Sequence, residues 1–282
     1  MTAIDYEVEY NNRARVPEHA EIFARWMRQA ENYRAETLKA GRAQLGLPYG
    51  DTPRQCIDLF MPDVREAAPL ALFVHGGWWR SLDMSMFSQM ARGLNAGGVA
   101  VAVVGYDLCP NVAVSDIIEQ IRRACAFLWQ RSGRRLLLVG HSAGGHLAAA
   151  MVATDWTALY PKVPADLAPA GYAVSGVFDL TPLVGISINQ DLRLTAEEAR
   201  NVSPLFWPLK SGRIFDAVAG GLESSEFKRQ SQTLAQAWRQ HGAQTRYEEV
   251  AGTNHFSVID ALADPQSAMT ARVVELARAI KP

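Results

Sequence analysis

Short continuous apolar runs alternate along this chain with longer stretches in which apolar residues recur at helical spacing. Leu70 to Val74, Val99 to Val104 and Leu136 to Val139 are apolar at every position, the pattern of strands buried on both faces of a sheet. Gln55 to Phe60 alternates instead, as a half-buried strand stopped by Pro62, after a turn cluster at Leu47 to Asp51. Tyr172 to Val177, Arg213 to Ala219 and Thr245 to Val250 complete the expected strands. Helices are expected from Pro17 to about Lys39, from Met84 to Asn95, and along the face Ile117, Ile118, Ile121, Cys125 and Leu128. Three more are expected from Gly145 to Thr154, Phe227 to Gln240 and Ala268 to about Ile280. The first places Pro17 in its first turn, Glu18 and Glu21 at its positive end, and a stripe of Ile22, Phe23, Trp26 and Met27 on one side. It either packs on the core or covers the mouth of the sheet. Strands alternating with helices at this rhythm predict an α/β fold, with a mainly parallel central sheet, helices on both faces and right-handed crossovers. Leu180 to Leu209, with Pro182, Pro204 and Pro208, breaks the rhythm and reads as helix in pieces, either a partial lid or a plain connection.

The 282 residues, 49% of them hydrophobic, suffice for one large core, so a single domain over residues 1–282 is expected. A net charge of -1 with scattered Lys and Arg offers no basic stripe for nucleic acid or an anionic membrane, which leaves a small-molecule partner. The opening carries Asp5, Glu7 and Glu9 and does not read as a signal or transit peptide, and no later segment is long and apolar enough to span a bilayer. Cys56, Cys109 and Cys125 lack metal or disulfide spacing and read as small buried hydrophobes in a reducing cytoplasm. No H-E-x-x-H pattern occurs, so neither metal nor other cofactor is expected; a homodimer stays open.

Chemistry concentrates where the apolar run Leu136 to Val139 meets Gly140-His141-Ser142-Ala143-Gly144 and the Ala-rich stretch after it. This is G-x-S-x-G between a strand and a helix, a turn that exposes Ser142 at the sheet edge above the first N–H groups of a helix. Those donors and the positive helix end suit an oxyanion. His75-Gly76-Gly77-Trp78-Trp79 follows an interior strand, where paired glycines let N–H groups point at a ligand. Gly76, Gly77 and Ala143 are therefore the candidate oxyanion donors. Trp78 and Trp79 are candidate pocket walls, with one of the two expected to face the site; Tyr106 and Trp207 are further substrate-binding candidates. A serine needs a general base held by a carboxylate. His19 and His241 sit on helices, His75 belongs to the glycine loop, His141 is expected to project away from Ser142, and His146 reads as a hydrogen-bonded core residue. His255, just past the last strand, fits the base. Strand order favours Glu223 as the acid, with Asp179 as the alternative and Glu226 explained by a helix N-terminus.

With these motifs in place, nearly the whole chain resembles the arylformamidase (kynurenine formamidase) branch of the α/β-hydrolases, near the hormone-sensitive-lipase-like esterases. The resemblance runs through Glu9-Tyr10-Asn11-Asn12-Arg13-Ala14-Arg15-Val16-Pro17, Asp58-Leu59-Phe60-Met61-Pro62 and the two glycine motifs, then through Glu223-Ser224-Ser225-Glu226-Phe227 and Asn254-His255-Phe256-Ser257. The family usually has Asp where Glu223 stands and often Tyr where Trp78 stands. It implies an α/β-hydrolase fold and a metal-independent serine hydrolase of small carboxylic esters or aryl amides, formamides included, with N-formylkynurenine one candidate. An acyltransferase using the same three side chains, or a non-catalytic ligand-binding relative, are the alternatives.

Overall fold

The computed structural model describes residues 4–64 and 68–281. Eight strands form one sheet in the order β1-β2-β4-β3-β5-β6-β7-β8: β1 (Ala43–Pro48), β2 (Cys56–Phe60), β3 (Leu70–Val74), β4 (Ala100–Val104), β5 (Leu136–His141), β6 (Ala170–Val174), β7 (Ile214–Gly220) and β8 (Gln244–Val250). β2 runs antiparallel to β1 and β4, and every pairing from β4 onward is parallel. The alternation of side chains explains why the central runs are apolar at every position. Leu70, Leu72, Val74, Leu136 and Leu138 face one core layer, while Ala71, Phe73, Leu137 and Val139 face the other.

Helices cover both faces. α1 (His19–Lys39) lies on the face of Phe73 and Val139, together with α5 (Ala268–Ala279) and the segment Met84–Ala96. α2 (Val114–Ser132), α3 (Ala143–Ala153) and α4 (Ser225–Gln240) lie on the other. Two short helical turns, Tyr6–Tyr10 and Asn12–Arg15, precede α1, and 180–209 folds into four short helical pieces between β6 and β7.

Some boundaries depart from the periodicity. The stretch expected to be helical from Met84 is a 3-10 helix to Met90, capped by the Asp83 carboxylate on the Ser85 N–H, and only then α-helical to Ala96. The strand expected to reach Val177 stops at Val174, where Ser175 turns to φ 55°. β1 has no counterpart among the expected strands, and its last two residues, Leu47 and Pro48, fall in the expected turn cluster. It pairs at the sheet edge with a register shift between Gln44 and Leu47, and the Gly46 N–H donates to Asp58 at 2.8 Å.

Candidate active site

β5 ends at His141, and Ser142 follows with φ 56° and ψ -120° before α3 begins at Ala143. A side chain in that conformation is strained by roughly 1–3 kcal/mol and persists only where neighbours enforce it. Here backbone meets backbone: a Cβ on Gly140 would lie 2.0 Å from the Gly144 carbonyl oxygen, and one on Gly144 would lie 1.9 Å from that of Val74. No larger residue fits either place, and the Ser142 N–H is tied to the Val174 carbonyl at 2.8 Å.

The loop after β8 brings His255 to this turn from 113 positions away. Its Nδ1–H donates to Glu223 Oε2 at 2.7 Å, and its Nε2 accepts from the Ser142 hydroxyl at 3.1 Å. A carboxylate can only accept, so the proton is fixed on Nδ1 and the Nε2 lone pair faces the serine. Glu223 Oε1 is held from the other side by the Ser175 hydroxyl at 2.5 Å and the Gly220 N–H at 2.6 Å. Ser142, His255 and Glu223 are all buried. Ser175 escaped the sequence reading; its only signal is its place directly after an apolar run and before Gly176. Asp179 lies elsewhere, with Oδ1 accepting from the Thr181 N–H and hydroxyl at 2.9 and 2.6 Å. Glu226 is buried and forms a two-bond pair with Arg229, each bond 2.7 Å.

The glycine loop after β3 lies against the serine: a Cβ on Gly76 would come within 2.9 Å of Ser142 Cβ. Gly77 has φ 116°, and a Cβ there would lie 2.1 Å from the Ser81 carbonyl oxygen. No N–H of Gly76, Gly77 or Ala143 donates to another group among the described residues. The loop is braced by His75, whose Nδ1–H donates to the Gly76 carbonyl at 2.6 Å and whose ring stacks on Tyr106 at 4.3 Å. Burial pushes the His75 imidazole down to about 4, so it stays neutral near neutrality.

A cavity of about 40 Å³ opens on Ser142, His255 and Gly77 and is walled by Phe23, Trp26 and Trp78. α1 therefore both packs on the core, through the fully buried Trp26, and closes the site. An outer cavity of about 380 Å³ shares Asn12, Arg13, Trp78 and Ser81 with the inner one and reaches Ile186 and Asp191 of the 180–209 segment. Of the four expected pocket residues only Trp78 lines these cavities. Trp79 is fully buried, its Nε1–H donating to His146 Nδ1 at 3.2 Å, so its ring is committed to the core. Tyr106 is buried behind the glycine loop, its hydroxyl donating to the His75 carbonyl at 2.8 Å. Trp207 is held away from the site by its Nε1–H to the Asn201 carbonyl at 2.8 Å and by Arg122 over its ring.

His141 corrects a second expectation. It does not project away but lines the inner cavity, its ring 4.9 Å from that of His255 and its Nε2–H donating to the His255 carbonyl at 2.8 Å. Alternation along β5 explains it: His141 shares a face with Leu137 and Val139, the face on which Phe256 packs. His146 is buried, with Nε2–H donating to the Val202 carbonyl at 2.7 Å. Among the described residues no group of three or more His, Cys, Asp or Glu side chains is placed to hold a metal ion, and no helix is long and apolar enough to cross a membrane.

A mainly parallel sheet with a serine on a strained strand-to-helix turn, a histidine past the last strand and an acid past the one before defines the class: the chain is a hydrolase with the α/β-hydrolase fold. The BD-FAE family model matches residues 57–187. Kynurenine formamidases from Danio rerio and Salmo salar are 32% and 33% identical to the chain, each over 82% of it and 81% of their own length. A crystal structure of a candidate thioesterase from Silicibacter sp. TM1040 superposes with a TM-score of 0.82 at 33% identity, over 96% of this chain and 99% of that one. The thermostable carboxylesterase EstE1, 18% identical with a TM-score of 0.66 over 86% of this chain and 89% of its own, shares the fold. The chain belongs to the kynurenine formamidase family.

Proposed function

We propose that the protein cleaves small acyl groups, formyl foremost, from aryl amides and related esters through an acyl-enzyme on Ser142. One observation carries the reading: the continuous line of hydrogen bonds from Ser142 through His255 to Glu223, opening on a cavity of only about 40 Å³. About 10–15 Å³ of such space holds one water, so there is room beside the serine for a formyl or acetyl group and little more. The leaving amine or alcohol takes the outer cavity.

In this reading the Ser142 oxygen attacks the acyl carbon while its proton passes to His255 Nε2. The imidazolium that forms is stabilised by Glu223, and the oxyanion lies against the N–H groups of Gly76, Gly77 and Ala143. The tetrahedral intermediate collapses as His255 returns that proton to the departing nitrogen or oxygen. Water then attacks the acyl carbon as His255 takes its proton, and His255 returns that proton to the Ser142 oxygen as the ester bond breaks and the acid leaves. The N-terminal turns and the 180–209 segment form a partial lid of the one domain. Three free cysteines, at Cys56, Cys109 and Cys125, support a reducing, cytoplasmic setting.

The test is a substrate series of formanilide, acetanilide, N-formylkynurenine and p-nitrophenyl acetate, butyrate and octanoate, with Ser142→Ala as control. The reading expects turnover of formyl and acetyl substrates, a steep fall by butyrate, and loss of turnover in the variant. Equal rates across the acyl lengths would overturn the small-acyl assignment.

A further inference from the structure

Away from Ser142, another cavity of about 380 Å³ opens between the chain after β1, the middle of α2 and the turn at 159–163. It shares no lining residue with the two cavities at Ser142, and its volume falls in the range of about 300–1,000 Å³ that small ligands occupy. Its walls are rings, Tyr49, Phe127 and Tyr160, with Val163 beside them. The Tyr49 hydroxyl donates to the Gly105 carbonyl at 2.6 Å, and the Tyr160 hydroxyl donates to Glu119 at 2.5 Å. Both phenols are thereby fixed as walls, and neither hydroxyl is left to donate into the cavity.

The charge in this cavity is all of one sign. Arg123 of α2 and Lys162 line it, no Asp or Glu does, and neither cation makes a hydrogen bond or ion pair among the described residues. Glu119 stands one turn before Arg123 on α2, at the i,i+4 spacing that ordinarily pairs. It is engaged elsewhere, with Oε1 accepting from Tyr160 and Oε2 from Arg122 at 3.5 Å. Arg123 is half-buried, so its uncompensated charge is screened less than one standing in open water. Its Nε is enclosed, which leaves the terminal guanidinium nitrogens to meet a ligand.

We propose that this cavity binds an aryl carboxylate, at a point separate from the catalytic serine. The ring packs among Tyr49, Phe127 and Tyr160, and the carboxylate lies between the Arg123 guanidinium and the Lys162 ammonium. A neutral ring offers the two cations no counter-charge, and a small bare anion leaves the aromatic walls uncovered. The site therefore selects molecules that carry both features. Neither Ser142 nor acyl chemistry enters the argument, so it stands or falls independently of the proposed reaction.

The experiment is isothermal titration calorimetry of 2-naphthoate, neutral 2-naphthalenemethanol and acetate with the wild type, Arg123→Gln, Arg123→Lys and Lys162→Glu. Lys162 is exposed, so its variant keeps the test open should the Arg123 variants fail to fold. The expected result is one naphthoate per chain, bound about tenfold or more tighter than the alcohol or acetate. Its affinity should fall about 10- to 100-fold in Arg123→Gln, recover in part in Arg123→Lys, and fall about fivefold or more in Lys162→Glu. Added salt should weaken naphthoate and leave the alcohol unchanged. Neither residue lines the cavities at Ser142, so these losses locate the ligand. No naphthoate binding tighter than about 5 mM, an alcohol bound as tightly as the acid, or undiminished naphthoate affinity in either folded Arg123→Gln or Lys162→Glu would overturn the proposal.

Discussion

Replacing Glu223 by Gln changes one atom and tests the electrostatics of the site in isolation. Glu223 Oε1 receives two donors, the Ser175 hydroxyl and the Gly220 N–H, so the Gln carbonyl oxygen must take that position. Its NH₂ then faces His255 Nδ1, where Oε2 had accepted at 2.7 Å. Donor cannot meet donor, so the imidazole must move its proton to Nε2, and the lone pair that accepts from Ser142 is lost. A wrong tautomer of this kind costs about 10⁴ in kcat, equivalent to about 5 kcal/mol of transition-state stabilisation. The isosteric change should leave the thermal midpoint within a few degrees. Glu223→Asp keeps the charge but withdraws the carboxylate by about 1.5 Å, one carbon–carbon bond, and should cost less, about 10- to 100-fold. The assay is steady-state release of p-nitrophenol from p-nitrophenyl acetate, with circular dichroism melts in parallel. A folded Glu223→Gln protein within tenfold of the wild-type rate would refute the reasoning.

Ser175→Ala removes one of the two donors behind Glu223 and should lower kcat about tenfold with little change in KM, with an unchanged melting midpoint separating positioning from packing. Burial holds His75 and His146 at about 4, and His141 well below 6.5, in the folded state, whereas all three titrate near 6.5 when unfolded. The unfolded chain therefore binds more protons as pH falls, so stability is full above about 6.5 and declines toward 4. His75 and His146 should each account for about 3 kcal/mol of that decline, and melting midpoints across this range, with His146→Gln flattening the slope, check it. Phe23→Ala removes a wall of the inner cavity and should raise relative activity on p-nitrophenyl butyrate at least tenfold; an unchanged acyl-length profile would disconnect that cavity from the acyl group.

What was legible in the sequence follows the range over which each constraint acts. The turn around Ser142 could be read directly, because Gly140 and Gly144 answer to clashes within a few residues and to one neighbouring strand. The central strands declared themselves by being apolar on both faces. β1 did not, since Gly46 and Pro48 are tolerated only at an edge whose position depends on β2. Aromatic residues next to a site advertise burial without direction: Trp78 lines the cavities while its neighbour Trp79 packs on His146, and Tyr106 and Trp207 brace other groups. Ser175 was invisible for a related reason. It matters through Glu223, brought to it by the tertiary fold from 48 residues on, and no local pattern records that meeting.

Peptide mapping after treatment with diisopropyl fluorophosphate tests the central claim most directly. One phosphoryl adduct per chain, located on Ser142, with turnover lost in proportion to labelling, is the predicted result. Labelling elsewhere with Ser142 unmodified, or full turnover by Ser142→Ala, would contradict it.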